Sequence, residues 1–196
     1  MTTLYRPRSA RFTAGAVVAV AVAVSASHAA TSGLPEAAPT LGLAALACVV
    51  GVAAYWRPCV RVDDETVEVV NVLSTVTVPL ARIVHVDTRW AMTMELDDGR
   101  KVTAFAAPAP GTSKARDFRQ EDLRGLPPDT YATGSVRVGD SPGTASGDAA
   151  LLVRTALQVW RESKTTDERS VTRRASAATV AALACGLVAA VGGFLI

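Results

Sequence analysis

The chain has 196 residues, 49% of them hydrophobic and 19% charged, with a formal net charge of +2. Every lysine and arginine except Arg6, Arg8 and Arg11, and every acid except Glu36, lies between Arg57 and Arg174, where the two signs cancel. A neutral segment argues against a nucleic-acid partner that needs several phosphate contacts, and the cysteines, Cys48, Cys59 and Cys185, offer neither a disulfide framework nor metal-ligand spacing.

The apolar residues gather in three blocks free of Asp, Glu, Lys and Arg: residues 12–30, 38–56 and 175–196. At about 1.5 Å per helical residue, each is long enough to cross a hydrocarbon layer of about 30 Å, so three transmembrane helices are predicted. The alternation from Val18 to Val24 has the period of a strand, but a lone strand cannot satisfy its backbone in lipid and a helix can. Arg6, Arg8 and Arg11 precede the first block, Arg57 and Arg61 follow the second after the interfacial pair Tyr55-Trp56, and Arg169, Arg173 and Arg174 precede the third. The loop from Thr31 to Thr40 carries no basic residue. The positive-inside rule then predicts a multi-pass protein of the inner (plasma) membrane, with the amino terminus and residues 57–174 cytoplasmic and the carboxyl terminus outside. The basic start and Ser27-His28-Ala29 also fit a cleavable signal peptide over residues 1–29.

Residues 57–107 read as a β module. Cys59–Val62 and Thr66–Val72 are strands around an Asp63-Asp64-Glu65 turn, Thr75–Val78 alternates polar and apolar, and Pro79 marks a strand break. Val84, Val86, Thr88 and Trp90 fall on one face of the next strand, and Met92, Met94 and Leu96 on one face of the strand after it. Asp98-Gly99 predicts a two-residue hairpin, with the return strand through Val102, Ala104 and Ala106. Residues 108–147, rich in Pro, Gly and Ser, form a long irregular loop in which Tyr131–Val138 fits one short strand. Asp148 caps an amphipathic helix over 148–164, whose stripe of Leu152, Val153, Ala156, Leu157, Val159 and Trp160 is predicted to lie on the sheet.

Residues with chemical potential are few. Asp63, Asp64 and Glu65 match no calcium loop, Asp97 and Asp98 are explained by the hairpin, and His85 with Asp87 lacks any nucleophile. His28, at the outer end of the first block, is the ionisable group that a proton path would need. Lys114, Arg116, Arg119 and Arg124 make the long loop locally basic and are the binding candidates, interleaved with Asp117, Glu121 and Asp122. Small residues recur every four positions at Gly15, Ala19, Ala23 and Ser27, and at Ala182, Gly186 and Ala190 beside Cys185, Ala189 and Gly193, faces suited to close helix packing.

Arg57-Pro58 after a hydrophobic helix, the valine-rich strand ending at Asn71, Val78-Pro79-Leu80-Ala81-Arg82-Ile83 and Leu96-Asp97-Asp98-Gly99-Arg100 resemble the bacterial pleckstrin-homology-like (PH) domain family of small actinobacterial membrane proteins. The resemblance covers about residues 57–107 and, more loosely, Asp148 to Lys164. It implies a small bent antiparallel sheet or partial barrel capped by a helix, with no catalytic residue, cofactor or metal. Phosphoinositide-binding relatives use basic residues in the first hairpin, where this chain has acids, so phosphoinositide binding is not expected. The expected protein is a non-enzymatic membrane protein presenting the module for protein interaction or scaffolding, its partners the bilayer and another membrane protein or itself. The alternative is an accessory subunit of a transport or envelope-assembly complex that makes its main contacts through the membrane helices.

Overall fold

The computed structural model describes residues 2–111, 130, 137–163 and 169–195. In chain order the elements are β1 (Thr3–Tyr5), α1 (Arg8–Ser32), α2 (Leu34–Gly51) with a closing π-helical turn (Val52–Trp56), β2 (Cys59–Val62), β3 (Thr66–Val70), β4 (Ser74–Pro79), a 3-10 turn (Leu80–Arg82), β5 (Ile83–Asp87), β6 (Ala91–Leu96), β7 (Lys101–Pro108), a second 3-10 turn (Val138–Asp140), α3 (Ala145–Ser163), β8 (Thr172–Ala175) and α4 (Ala177–Gly193). They form two units, Arg8–Arg57 with Ala175–Ile196 and Met1–Pro7 with Pro58–Arg174.

In the helical unit, Gly33 adopts a φ of 90° between α1 and α2, a left-handed conformation that glycine takes without a Cβ penalty. The helices Arg8–Ser32 and Leu34–Trp56 are long and apolar enough to cross a membrane. Only 11% and 17% of their most apolar windows are buried, so neither is the core helix of a packed globule. The third predicted span falls short: α4 has 17 residues, about 26 Å of helix. Among the described residues, two helices rather than three therefore have membrane length, because Thr172–Ala175 is drawn into β8 and the helix does not begin until Ala177.

Close packing holds α4 to α2. A Cβ on Gly42 would strike the Ala189 carbonyl, one on Gly193 the Ala38 carbonyl, and one on Gly186 would lie 3.3 Å from Leu46. Of the small residues predicted on the third block, Gly186, Ala190 and Gly193 are buried, whereas Ala182, Cys185 and Ala189 are exposed. On α1 the buried residues are Ala14 and Ser25, and the predicted face of Gly15, Ala19, Ala23 and Ser27 is exposed.

The other unit contains a five-stranded sheet in the order β1-β2-β3-β4-β8 and a three-stranded sheet β5-β6-β7. The 3-10 turn at Leu80–Arg82 separates β4 from β5, so among the described residues the predicted partial barrel does not close but divides into two sheets. Pro79 ends β4, as its missing donor requires. Both sheets bury one face: Val60, Val67, Val69, Val78, Met92, Met94 and Ala104 are inaccessible, and Ala149, Ala150, Val153 and Leu157 of α3 cover them.

Three local expectations are corrected. A register shift between Ile83 and His85 interrupts the alternation of β5, so Val86 is buried whereas Val84 is 60% and Trp90 83% exposed. The β6–β7 turn has three residues, Asp97, Asp98 and Gly99, between Leu96 and Arg100, with Gly99 at a φ of 78°. α3 starts at Ala145, where Thr144 caps it by accepting the Gly147 N–H at 3.0 Å, while Asp148 in the first turn accepts the Gly143 N–H at 2.7 Å. Of the predicted strand Tyr131–Val138, residues 131–136 lie outside the described residues.

Truncating Leu157, whose side chain is fully buried, is expected to cost about 2–5 kcal/mol, whereas Val84→Ala is expected to stay within about 0.5 kcal/mol. Denaturant unfolding of the full-length protein in detergent micelles, followed by tryptophan fluorescence, measures both.

Candidate interaction surface

The first sheet has two unlike ends. At one, Thr3 stands opposite Val62 and Val62 opposite Val67, so the acidic turn Asp63–Glu65 closes it. At the other, Tyr5 stands opposite Val60, Cys59 opposite Val70 and Val70 opposite Thr75, so the turn from Asn71 to Leu73 projects beyond them.

The acidic turn is built by its own side chains. Asp63 accepts the N–H groups of Glu65 and Thr66 at 2.9 and 2.5 Å and the Thr66 hydroxyl at 2.9 Å. Burial alone would raise the Asp63 pKa, but these bonds, with Arg169 nearby, hold it below the usual carboxylate value. Glu65 pairs with Arg169 at 2.7 Å. At the β6–β7 turn, Arg82 bridges Asp97 at 2.7 Å and Asp98 at 3.1 Å. Hydrogen bonds from the Arg100 side chain and N–H lower the Asp98 pKa to about 2. These carboxylates are turn-formers, and they are not arranged as an acid–base pair.

His85 and Asp87 are not brought together as an oriented base. His85 lies across from Glu95, which binds Lys101 at 2.6 Å, while Asp87 is held by the Arg137 guanidinium. His28 Nδ1 lies 2.6 Å from Thr40 Oγ1, linking α1 to α2. No group of three His, Cys, Asp or Glu among the described residues is placed to hold a metal ion. Lys114, Arg116, Arg119 and Arg124 lie outside the described residues.

The sequence reading missed a buried ion pair under α3. Arg154 Nη2 bonds Asp140 at 2.8 Å and the Val86 carbonyl at 2.7 Å, and Asp140 also accepts the Thr88 hydroxyl at 2.9 Å and the Arg137 N–H at 3.0 Å. Both charges are at least 95% buried, so each depends on these partners. The signal was available: Arg154 sits one residue after the buried Val153 and three before Leu157, on the apolar stripe of the helix.

Between α3 and the acidic end of the sheet runs an open groove of about 380 Å³. Its apolar floor comes from Val62, Leu151, Leu152 and Val159, and Asp63 and Asp64 form one rim. Val159 on this floor is 62% exposed, so apolar surface is open to solvent there, while the Asp63 carboxylate is engaged by its own turn with Arg169 nearby.

Two antiparallel sheets covered by one helix and closed by polar turns make up a PH-like module. Residues 57–145 match the family described as Bacterial PH domain. The match begins at Arg57, runs past β7 and stops at Ala145, the first residue of α3. No curated protein and no solved structure matches the chain.

Removing one partner of the buried pair, as in Asp140→Ala, is expected to lower stability by about 3–5 kcal/mol, and the apolar double replacement Asp140→Leu with Arg154→Met to restore most of it. Denaturant midpoints of the single and double variants measure the difference. Alkaline titration tests β1. Burial, reinforced by Asp148, raises the Tyr5 pKa to about 12, so the stabilisation is fully present below about pH 10 and is lost as pH rises towards 12. Tyr5→Phe is expected to abolish that decline in thermal stability between pH 10 and 12.

Proposed function

We propose that the protein is anchored in the inner membrane by α1 and α2 and displays its PH-like module to the cytoplasm as a non-catalytic protein-interaction or scaffolding element. The pairing of β1 with β2 carries this reading. Thr3–Tyr5 and Val60–Val62 belong to one sheet, so the segment before α1 and the segment after α2 share one side of any membrane the helical hairpin crosses. That side holds Arg6, Arg8, Arg11, Arg57 and Arg61, the positive side by which cytoplasmic segments are recognised. The Arg11 guanidinium lies 5.1 Å from the Trp56 ring, an arginine–aromatic pair suited to a headgroup layer. The same strand pairing favours a retained first helix over a cleaved signal peptide, because cleavage would strip β1 from the sheet.

The groove beside α3 is the interaction site. Its leucine and valine floor suits a short apolar segment, from another membrane protein or a second copy of this chain.

Cysteine labelling in cells, with Cys48 and Cys185 replaced by alanine, tests the topology. Thr31→Cys is expected to react with an impermeant maleimide in intact cells and Asp64→Cys only after permeabilisation; the reverse pattern overturns the reading. A photocrosslinker at Thr155 of the full-length protein is expected to capture a partner that one at Lys101 does not. Equal capture at both positions excludes the groove.

A further inference from the structure

We propose that the groove between α2 and α4 in the helical unit holds one anionic phospholipid, with an acyl chain along the groove and the phosphate at Arg57. The inference rests on the membrane anchoring proposed above and adds a ligand to the same helices.

The groove follows from where the glycines fall. Gly193 meets Ala38, Gly42 meets Ala189 and Gly186 meets Leu46, so α2 and α4 touch most closely over those turns. From Cys48 onward α2 offers no glycine to α4, because Gly51 is turned to Val17 of α1. There the two helices leave an open groove of about 390 Å³, with walls from Cys48, Val49, Val52 and Ala53 of α2 and Ala178 and Ala182 of α4. Val52 and Ala53 belong to the π-helical turn, in which the Arg57 N–H reaches back to the Val52 carbonyl at 3.0 Å. Such turns widen a helix locally and recur at functional sites.

Its dimensions suit one lipid chain. The volume is that of a small-ligand site. Nine residue steps separate Cys48 from Arg57, roughly 13 Å of helix, against about 15 Å for half of a hydrocarbon layer. The groove thus runs the depth of one leaflet and ends at a guanidinium. Arg57 already has a partner, and the five N–H donors of a guanidinium serve a phosphate as well.

Charge selects the headgroup. The helical unit contains Arg8, Arg11, Arg57 and Glu36 as its only Arg, Lys, Asp or Glu residues. The Arg11 guanidinium lies 5.1 Å from the Trp56 ring, which sets the start of α1 beside the Arg57 end of α2, whereas Glu36 is in the first turn of α2 at its far end. Three guanidiniums and no carboxylate of this unit therefore gather at the end where a lipid phosphate would lie, a basic setting between membrane helices that favours anionic headgroups. An apolar helix laid in the same groove would bring no group to Arg57.

The test uses the full-length protein in mild detergent, titrated with phosphatidylglycerol or phosphatidylcholine, with bound lipid counted by native mass spectrometry. One phosphatidylglycerol per chain is expected, held about tenfold more tightly than phosphatidylcholine. Arg57→Gln is expected to weaken phosphatidylglycerol about tenfold, as loss of one charge-assisted contact would, and Arg57→Lys to keep most of the binding. Ala182 is exposed, so Ala182→Phe fills the groove without parting α2 from α4 and is expected to abolish retention of both lipids. Val188→Phe, at an exposed position outside this groove, is expected to change nothing. Equal binding of the two lipids, or binding that survives both Arg57→Gln and Ala182→Phe, overturns the site. A dimer that Ala182→Phe dissociates shows that a second copy fills the groove, and also overturns it. Vesicle flotation separates this proposal from the anchoring: wild-type protein that does not float overturns the anchoring, whereas protein that floats but retains no phosphatidylglycerol overturns the groove alone.

Discussion

Three residues of backbone pairing, Thr3–Tyr5 against Val60–Val62, decide how the rest of the chain is organised. Without β1, the edge of β2 would present unpaired N–H and C=O groups to any passing strand. With it, the segment that leads into the first hydrophobic helix becomes part of the module's sheet. β8, which leads into α4, occupies the opposite edge beside β4. Both edges of the sheet are thus short strands, of three and four residues, that also serve as connectors to the helical unit. Short edge strands resist further pairing, so one device both blunts the edges and shortens the tethers.

The buried Arg154–Asp140 pair does for the helix what β1 does for the sheet. The valines, alanines and leucine under α3 supply burial energy, but apolar contacts alone tolerate a helix sliding by a turn. Arg154 reaches the Val86 carbonyl on β5 while Asp140 holds the Thr88 hydroxyl two residues along that strand, which fixes one register. Gly139 and Gly147 let this junction form. A Cβ on the first would strike the Thr88 carbonyl and one on the second the Ser141 carbonyl. The ion pair is best understood as selecting a helix position, since its Coulombic gain is largely offset by the cost of dehydrating both charges.

Much of the sheet was legible in the sequence because alternation and turn chemistry are local. Cys59–Val62, Met92, Met94, Leu96, the Asp63 turn and the break at Pro79 follow from period and backbone restriction alone. The misreadings arise where a non-local constraint prevails. Val84 was placed with Val86 because no sequence pattern announces the register shift at Ile83. β1 leaves no signal in the sequence because three residues carry no usable period, and β8 leaves none because a basic Thr-Arg-Arg segment reads as a charged flank. The third span was overcounted by treating apolar composition as length, although β8 had already claimed the residue with which the block begins. The groove was invisible for a related reason: Leu151 and Leu152 belong to a recognisable stripe, but their proximity to Asp63 and Asp64 depends on how α3 lies across the sheet.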